Sequence, residues 1–307
     1  MELNENADID TSQVEDVRGS GGGGGGGGLG GLPIPGGGGL VGIIIAVVVT
    51  LVGGGTALTQ LGGDGGGAAP ADNTNLSQEC SGADKTKQLD CRNVLFVNSI
   101  QDYWRDALPE SFGEQYRPST TTFFSRNVRT GCGAADSGTG PFYCPADDKV
   151  YIDLTFYQVL AQQLGAPGEF AQPYVLAHEY GHHVQDLLGT EAQMRREQQR
   201  DPDNANKLSV KLELQADCYA GAWAKNATST DTASGQKIFK SLTQEDIQQG
   251  LDTAAKIGDD TLQKQSGGQI NPAEFTHGTS AQRQEWFGHG YETGDPKQCD
   301  TFAAGAV

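Results

Sequence analysis

Basic side chains are scarce in this sequence. Lysine and arginine total 21 against 39 carboxylates, a formal net charge of −18 over 307 residues. A chain this acidic repels phosphate backbones and anionic headgroups, so nucleic acid and anionic lipid surfaces are poor partners for its folded part. Cysteine is sparse as well, and none of the six is spaced C-x-x-C, which removes the usual thiolate zinc site. Cys80 and Cys91 are eleven apart, Cys132 and Cys144 twelve apart in a Gly-rich, hairpin-like stretch, and Cys218 and Cys299 remain. Near-neighbour pairs plus Cys218–Cys299 are the simplest of the fifteen connectivities that six cysteines allow, and the sequence leaves the choice open. Disulfides persist outside the cytoplasm, which predicts an extracytoplasmic C-terminal domain.

Long apolar runs are lacking too. The longest, Leu40–Val52, has about the length of a signal-peptide core. Its glycine surroundings carry no charge between Arg18 and Asp64, and the basic lead-in of a secretory signal is missing. The expectation is one transmembrane helix over 40–61, a single-pass anchor in the cell membrane. Met1–Arg18 holds six carboxylates, one arginine and few large apolar residues, and 19–31 is almost pure glycine. Residues 1–39 are therefore expected to be a disordered acidic and Gly-rich tail. Residues 62–78 read as a linker of small and polar residues. Residues 79–307 remain as a single domain, long enough to bury a sizeable core.

What is present is a histidine motif. Ala177-His178-Glu179-Tyr180-Gly181-His182-His183-Val184 contains H-E-x-x-H, the helical zinc motif of metallopeptidases. Four residues of α-helix turn about 400°, so His178 and His182 project from one side, a turn apart. Glu179 lies about 100° round the helix, beside a shared metal rather than on it, placed for general acid–base work. Leu176, Tyr180, Val184 and Leu187 form the opposite, apolar stripe, and His183 falls at its edge as a structural histidine. A catalytic zinc takes a third protein ligand and keeps its fourth position open. Glu213 and Asp217, four apart in Leu212–Trp223, share a helix face. Glu213 is the candidate third ligand, and Asp217 the carboxylate that orients a ligating histidine. Ala220, Gly221 and Ala224 continue that face and admit a close neighbour.

H-E-Y-G-H-H-V-Q followed by E-L-Q-A-D-C-Y-A-G-A-W resembles a bacterial family of neutral zinc metallopeptidases and, more distantly, the thermolysin-like gluzincins with H-E-x-x-H and E-x-x-x-D. Ser125–Cys144, Lys149–Leu154 and Thr276–Arg283 resemble the same family, so the likeness spans roughly residues 90–305. It implies Zn²⁺ as cofactor and a peptide or protein as substrate.

The remaining pattern predicts an α+β fold, a mostly helical, zincin-like metallopeptidase domain with a small sheet. Helices are expected around 94–104 (ending before Pro109), 156–164, 170–188, about Glu213, 241–256, and from the capping box Thr279–Gln282 through Trp286. Strands are expected at 121–126 and 150–153, and a polar loop at 189–207. A peptide is expected to add as a strand at the Val150–Asp153 edge, with His277, His289 or Tyr151 donating to the oxyanion. The expected activity is zinc-dependent endopeptidase cleavage, with Glu179 as general base. Two rivals are a non-catalytic envelope protein with a structural zinc and an acidic interaction module.

Overall fold

The structure, a computed structural model, describes residues 1–18 and 73–307. Two short strands, β1 (Glu2–Leu3) and β2 (Val14–Asp16), open the chain. After α1 (Thr74–Glu79) and α2 (Leu89–Phe112) come β3 (Thr120–Phe123), β4 (Asn127–Thr130), β5 (Gly133–Asp136), β6 (Phe142–Cys144) and β7 (Lys149–Ile152). Then follow α3 (Phe156–Gln162), α4 (Ala171–Leu187), α5 (Thr190–Arg200) and α6 (Ala205–Asn226). The chain closes with β8 (Phe239–Ser241), α7 (Gln244–Lys256), α8 (Asp259–Gln265) and α9 (Ser280–Thr293). The class is α+β, with helices dominating a four-stranded sheet, the β4–β5 hairpin and a two-stranded β1–β8 pair that joins distant parts of the chain.

Helix α4 packs on one side and faces the site on the other. Leu176, Tyr180 and Val184 are fully buried on its apolar stripe, as its sequence period requires. At Gly181, α4 crosses α6 so closely that an added Cβ would lie 3.0 Å from the Ala216 Cα. A second tight crossing joins α6 to α9, where a Cβ on Gly290 would come within 1.9 Å of the Cys218 carbonyl oxygen. Two helices thus converge on α6 because glycine lets their backbones touch. Thr279 and Gln282 form the expected capping box, and α9 runs on to Thr293.

The main sheet has the order β2-β3-β7-β6, with β2–β3 and β3–β7 parallel and β7–β6 antiparallel. The strand expected to receive a peptide, β7, is therefore paired on both sides, and the open edge near the histidines is β6. The disulfides are Cys80–Cys91, Cys132–Cys144 and Cys218–Cys299.

Several expectations are corrected. Residues 1–18 are not a disordered tail. Val14 pairs with Thr121 and is fully buried, Leu3 and Ala7 are buried, and Arg18 bridges Asp16 and Asp90 at 2.6 Å. Order here comes from partners far along the chain: Asn98 of α2 exchanges hydrogen bonds with the backbone of Asp10 at 2.9 and 3.0 Å. The linker ends earlier than expected, since Asn73 accepts from the Asp16 N–H at 2.9 Å and α1 starts at Thr74. The rest of that linker, the glycine tract and the anchor expected over 40–61 lie outside the described residues. No described helix is long and apolar enough to cross a membrane. The loop expected over 189–207 contains α5, whose Glu191–Arg195 pair and strong helix formers compensate for a single buried aliphatic, Met194. Pro109 lies inside the last turn of α2, which ends at the left-handed Gly113.

Candidate metal centre

Helices α4 and α6 place three side chains around one point. His178 Nε2 lies 3.1 Å from Glu213 Oε2 and 3.2 Å from His182 Nε2, while His182 Nε2 lies 3.5 Å from Glu213 Oε1. Each of the three residues offers a ligand atom within 4.8 Å of the others. The remaining ring nitrogens face acceptors. His178 Nδ1 donates to Asp217 Oδ1 at 2.8 Å, and His182 Nδ1 to Gln185 Oε1 at 2.8 Å. Both Nε2 atoms are thus turned toward each other and toward a carboxylate. Three acceptors this close call for a cation among them, either a proton on a ring nitrogen or a metal ion. Tetrahedral zinc with ligands at about 2.0–2.1 Å separates its donors by roughly 3.3 Å, close to the spacings seen.

The electrostatics agree. Burial disfavours charge on His178, but the Asp217 and Glu213 carboxylates outweigh it and raise its pKa to about 10. Burial likewise opposes charge on His182, and Glu213 raises it. Burial would raise Glu213, yet His182 and His277 hold its carboxyl well below the usual range. The site favours net positive charge at the point where the three side chains meet.

Asp217 is fully buried and held from several directions. Arg283 of α9 grips it bidentately, Nε to Oδ2 at 2.7 Å and Nη2 to Oδ1 at 3.0 Å, and Tyr174 donates to Oδ1 at 2.7 Å. Burial would raise its pKa, but Arg283 and His178 lower it to about 2. Arg283 is itself 2% exposed, and the glycine crossing of α6 and α9 is what brings it there. Nothing in the sequence alone assigns Arg283 a role; its one signal is a lone arginine directly after the Thr279–Gln282 capping box, on a helix whose glycines allow close approach.

Glu179 does not face the three ligand atoms. Its Oε2 accepts from the Tyr143 N–H on the open edge of β6 at 3.0 Å, and burial raises its carboxyl pKa against the lowering effect of the two histidines. His183 is a structural residue, with Nε2 donating to the Arg117 carbonyl at 2.6 Å and Nδ1 3.1 Å from the Tyr143 hydroxyl.

A cavity of about 450 Å³ opens on His178, Glu179, His182 and Glu213. Phe142, Val175, Met194 and Leu212 give it apolar walls, and His277 and Arg283 also line it. Of the three oxyanion candidates, only His277 lines this cavity. Its Nδ1 faces Asp259 Oδ1 at 3.2 Å, while Asp259 Oδ2 accepts three successive backbone N–H groups, those of Thr276, His277 and Gly278. His289 sits elsewhere, with Nε2 on the Gln298 carbonyl at 3.2 Å, and the Tyr151 hydroxyl donates to Asp147 at 2.7 Å. The structure does not bring these two to the site. Asp259 also went unnoticed in sequence, because a carboxylate near a helix start usually caps its own helix.

The chain is 47% identical over 232 residues to the uncharacterized protein Rv2575 of Mycobacterium tuberculosis, covering 75% of this chain and 76% of that one. The uncharacterized protein Mb2605 of Mycobacterium bovis shows the same figures. The uncharacterized protein YpfJ of Escherichia coli is 46% identical over 209 residues, 68% of this chain and 69% of its own length. No solved structure matches the chain. The family model described as "Putative neutral zinc metallopeptidase" matches residues 4–302, a span that takes in both strand β2 and the donor cluster. The chain belongs to that zinc metallopeptidase family, and its cofactor is Zn²⁺.

Proposed function

We propose that the protein is a zinc-dependent endopeptidase, with His178, His182 and Glu213 holding the metal and Glu179 acting as general base and then acid. The observation that carries this reading is the division of labour among buried groups. Three acceptors converge on one point, while the Glu179 carboxylate, on the residue after His178, lines the same cavity and accepts from a backbone N–H. Bound zinc lowers the pKa of water toward neutrality and polarises a carbonyl. Glu179 takes the proton from the attacking water and returns it to the leaving nitrogen. The Tyr143 N–H holds that carboxylate at the edge of the cleft. A peptide adds along the open edge of β6, its backbone paired there and its side chains reaching the apolar walls. His277, fixed through Nδ1 by Asp259, donates to the oxyanion in this scheme.

The structural-zinc alternative needs a fourth protein ligand and no opening. Among the described residues the cluster supplies three, and a cavity reaches them. The location proposed is extracytoplasmic, at a membrane contacted through the apolar run within 40–61. Its support is the three disulfides and the composition of that run.

The test is hydrolysis of an unfolded protein such as casein by purified protein. Cleavage is expected to stop on removal of zinc with a chelator and to return on adding zinc back. Zinc-loaded protein that cleaves no casein or peptide library would favour the structural reading.

A further inference from the structure

His178 and His182 are oriented by different chemistry. His178 has a carboxylate behind it, which can only accept. His182 has a neutral amide, Gln185, which could present either its oxygen or its nitrogen. What decides is found further from the metal. Gln185 Nε2 donates to the Leu212 carbonyl at 2.7 Å and to Gln215 Oε1 at 3.1 Å. A backbone carbonyl cannot donate, so the Gln185 amide cannot turn over without setting two oxygens against each other. Its Oε1 therefore faces His182 Nδ1, which must carry the proton and leaves Nε2 bare for a metal.

Gln215 extends the chain by one more link. Its Nε2 donates to the carbonyl of Cys299 at 2.9 Å, again an obligate acceptor, which fixes Oε1 toward Gln185. Gln185 is fully buried and Gln215 is 6% exposed, so water does not offer substitute partners. The Cys299 carbonyl is in turn held to α6 by the Cys218–Cys299 disulfide, and Thr301 Oγ1 donates to the Lys211 carbonyl at 2.6 Å beside it. Cys218 directly follows Asp217, the residue that orients the other histidine.

We propose that Gln185 and Gln215 are positioning residues that hold His182 in its metal-binding tautomer, and that the Cys218–Cys299 disulfide fixes the far end of this amide relay. Zinc affinity then depends on a disulfide that touches no ligand. The proposal rests on the assignment of zinc to His178, His182 and Glu213.

The experiment measures the zinc dissociation constant by chelator competition, alongside the melting temperature of the metal-free protein. Gln185→Leu is expected to weaken zinc about 10–100-fold, as loss of a ligand's supporting partner does. Gln215→Met keeps the volume and lies one link further away. It is expected to weaken zinc less, about threefold or more, and it carries the test if Gln185→Leu does not fold. The paired change Cys218→Ser with Cys299→Ser is expected to weaken zinc in the same way. Removing Cys80–Cys91 as Cys80→Ser with Cys91→Ser is expected to lower the melting temperature alone. Unchanged zinc affinity in Gln185→Leu or Gln215→Met, with only the melting temperature falling, would overturn the relay. Equal loss of zinc on removing Cys80–Cys91 would overturn the link to Cys218–Cys299. Failure of the underlying assignment looks different, because wild-type protein would then bind no zinc that Glu213→Ala abolishes.

Discussion

Three buried carboxylates surround the two histidines, and their partners separate their roles. Glu213 faces both Nε2 atoms, Asp217 faces an Nδ1 and an arginine, and Glu179 faces a backbone N–H and the cavity. Glu179→Gln is therefore expected to keep about one zinc per chain while hydrolysis falls by the roughly 10²–10⁴-fold of general acid–base help. Metal analysis and casein turnover on the same sample check both halves, and turnover within a few-fold of wild type would remove Glu179 from the mechanism. Glu213→Ala is expected to be essentially metal-free, since two histidines do not retain zinc in an open site. Asp217→Asn is expected to bind zinc about 10–100-fold more weakly yet measurably. It also leaves the Arg283 guanidinium buried without a counter-charge, at a cost of about 3–5 kcal/mol in folding stability. The Asp217 pKa, lowered to about 2 against Arg283 and His178, adds a pH signature in metal-free protein. A depressed carboxyl pKa stabilises the fold above the unfolded value, 3.8, and that stability is lost as pH falls through about 2. The shift corresponds to about 2 kcal/mol. Urea unfolding of wild type and Asp217→Asn at about pH 5 and about pH 2 is expected to show the gap between them narrowing by that amount in acid.

At the scale of elements, two glycine crossings set the site. Gly181 lets α6 come near enough for Glu213 to reach the α4 histidines, and Gly290 with Gly221 lets α9 deliver Arg283 to Asp217. Gly290→Ala adds helix propensity worth about 1 kcal/mol, but its methyl would meet a backbone oxygen at 1.9 Å. Overpacking of side chains alone costs about 1–3 kcal/mol, and a backbone neighbour yields less. The expected outcome is net destabilisation and weaker zinc binding, because α9 must move and take Arg283 with it. A melting temperature at or above that of wild type would mean the crossing is looser than described. These crossings also divide what could be read from the sequence from what could not. His178, Glu179 and His182 are local to one helix, so their common placement follows from a 3.6-residue period. Glu213 and Asp217 were legible because they share a face within an otherwise apolar segment. Arg283 and Asp259 were not, since their positions depend on which helices touch, and no period within one helix records its neighbour. The same reason hid α5, with one buried aliphatic among polar helix formers, and left β7 rather than β6 as the expected edge.

For the whole molecule, the decisive contacts are those of the first eighteen residues. Strand β2 completes the parallel edge of the main sheet, Lys149 reaches Glu15 at 2.7 Å, and Gln101 of α2 donates to Gln13 at 2.9 Å. Composition argued for disorder because it counts carboxylates and large apolar residues. It cannot see that Asn98 and Gln101, polar side chains buried on α2, find partners in the first residues, Asn98 in the Asp10 backbone and Gln101 in the Gln13 side chain. Buried Val14 and Leu3 are worth about 1.5–3 kcal/mol each before the cost of ordering the strand. Deleting residues 1–18 is therefore expected to lower the melting temperature and expose β3, rather than yield an unchanged domain. This packing also sets a condition on membrane attachment. Arg18 and Asn73 bracket the segment 19–72, and both belong to one folded body, with Asn73 bonded to the backbone of β2. Whatever that segment does at a bilayer, its two flanks must then lie on the same side, whereas a single crossing within 40–61 would place them on opposite sides. Asp8 and Asp231 are both exposed, one on each flank of the segment. Asp8→Cys and Asp231→Cys variants treated in intact expressing cells with a membrane-impermeant maleimide are expected to react alike. Labelling of Asp231→Cys with full protection of Asp8→Cys would show that the N-terminal strand and the zinc-binding helices are separated by the membrane. The parallel edge of the sheet would then have to be completed by something other than this chain's own first residues.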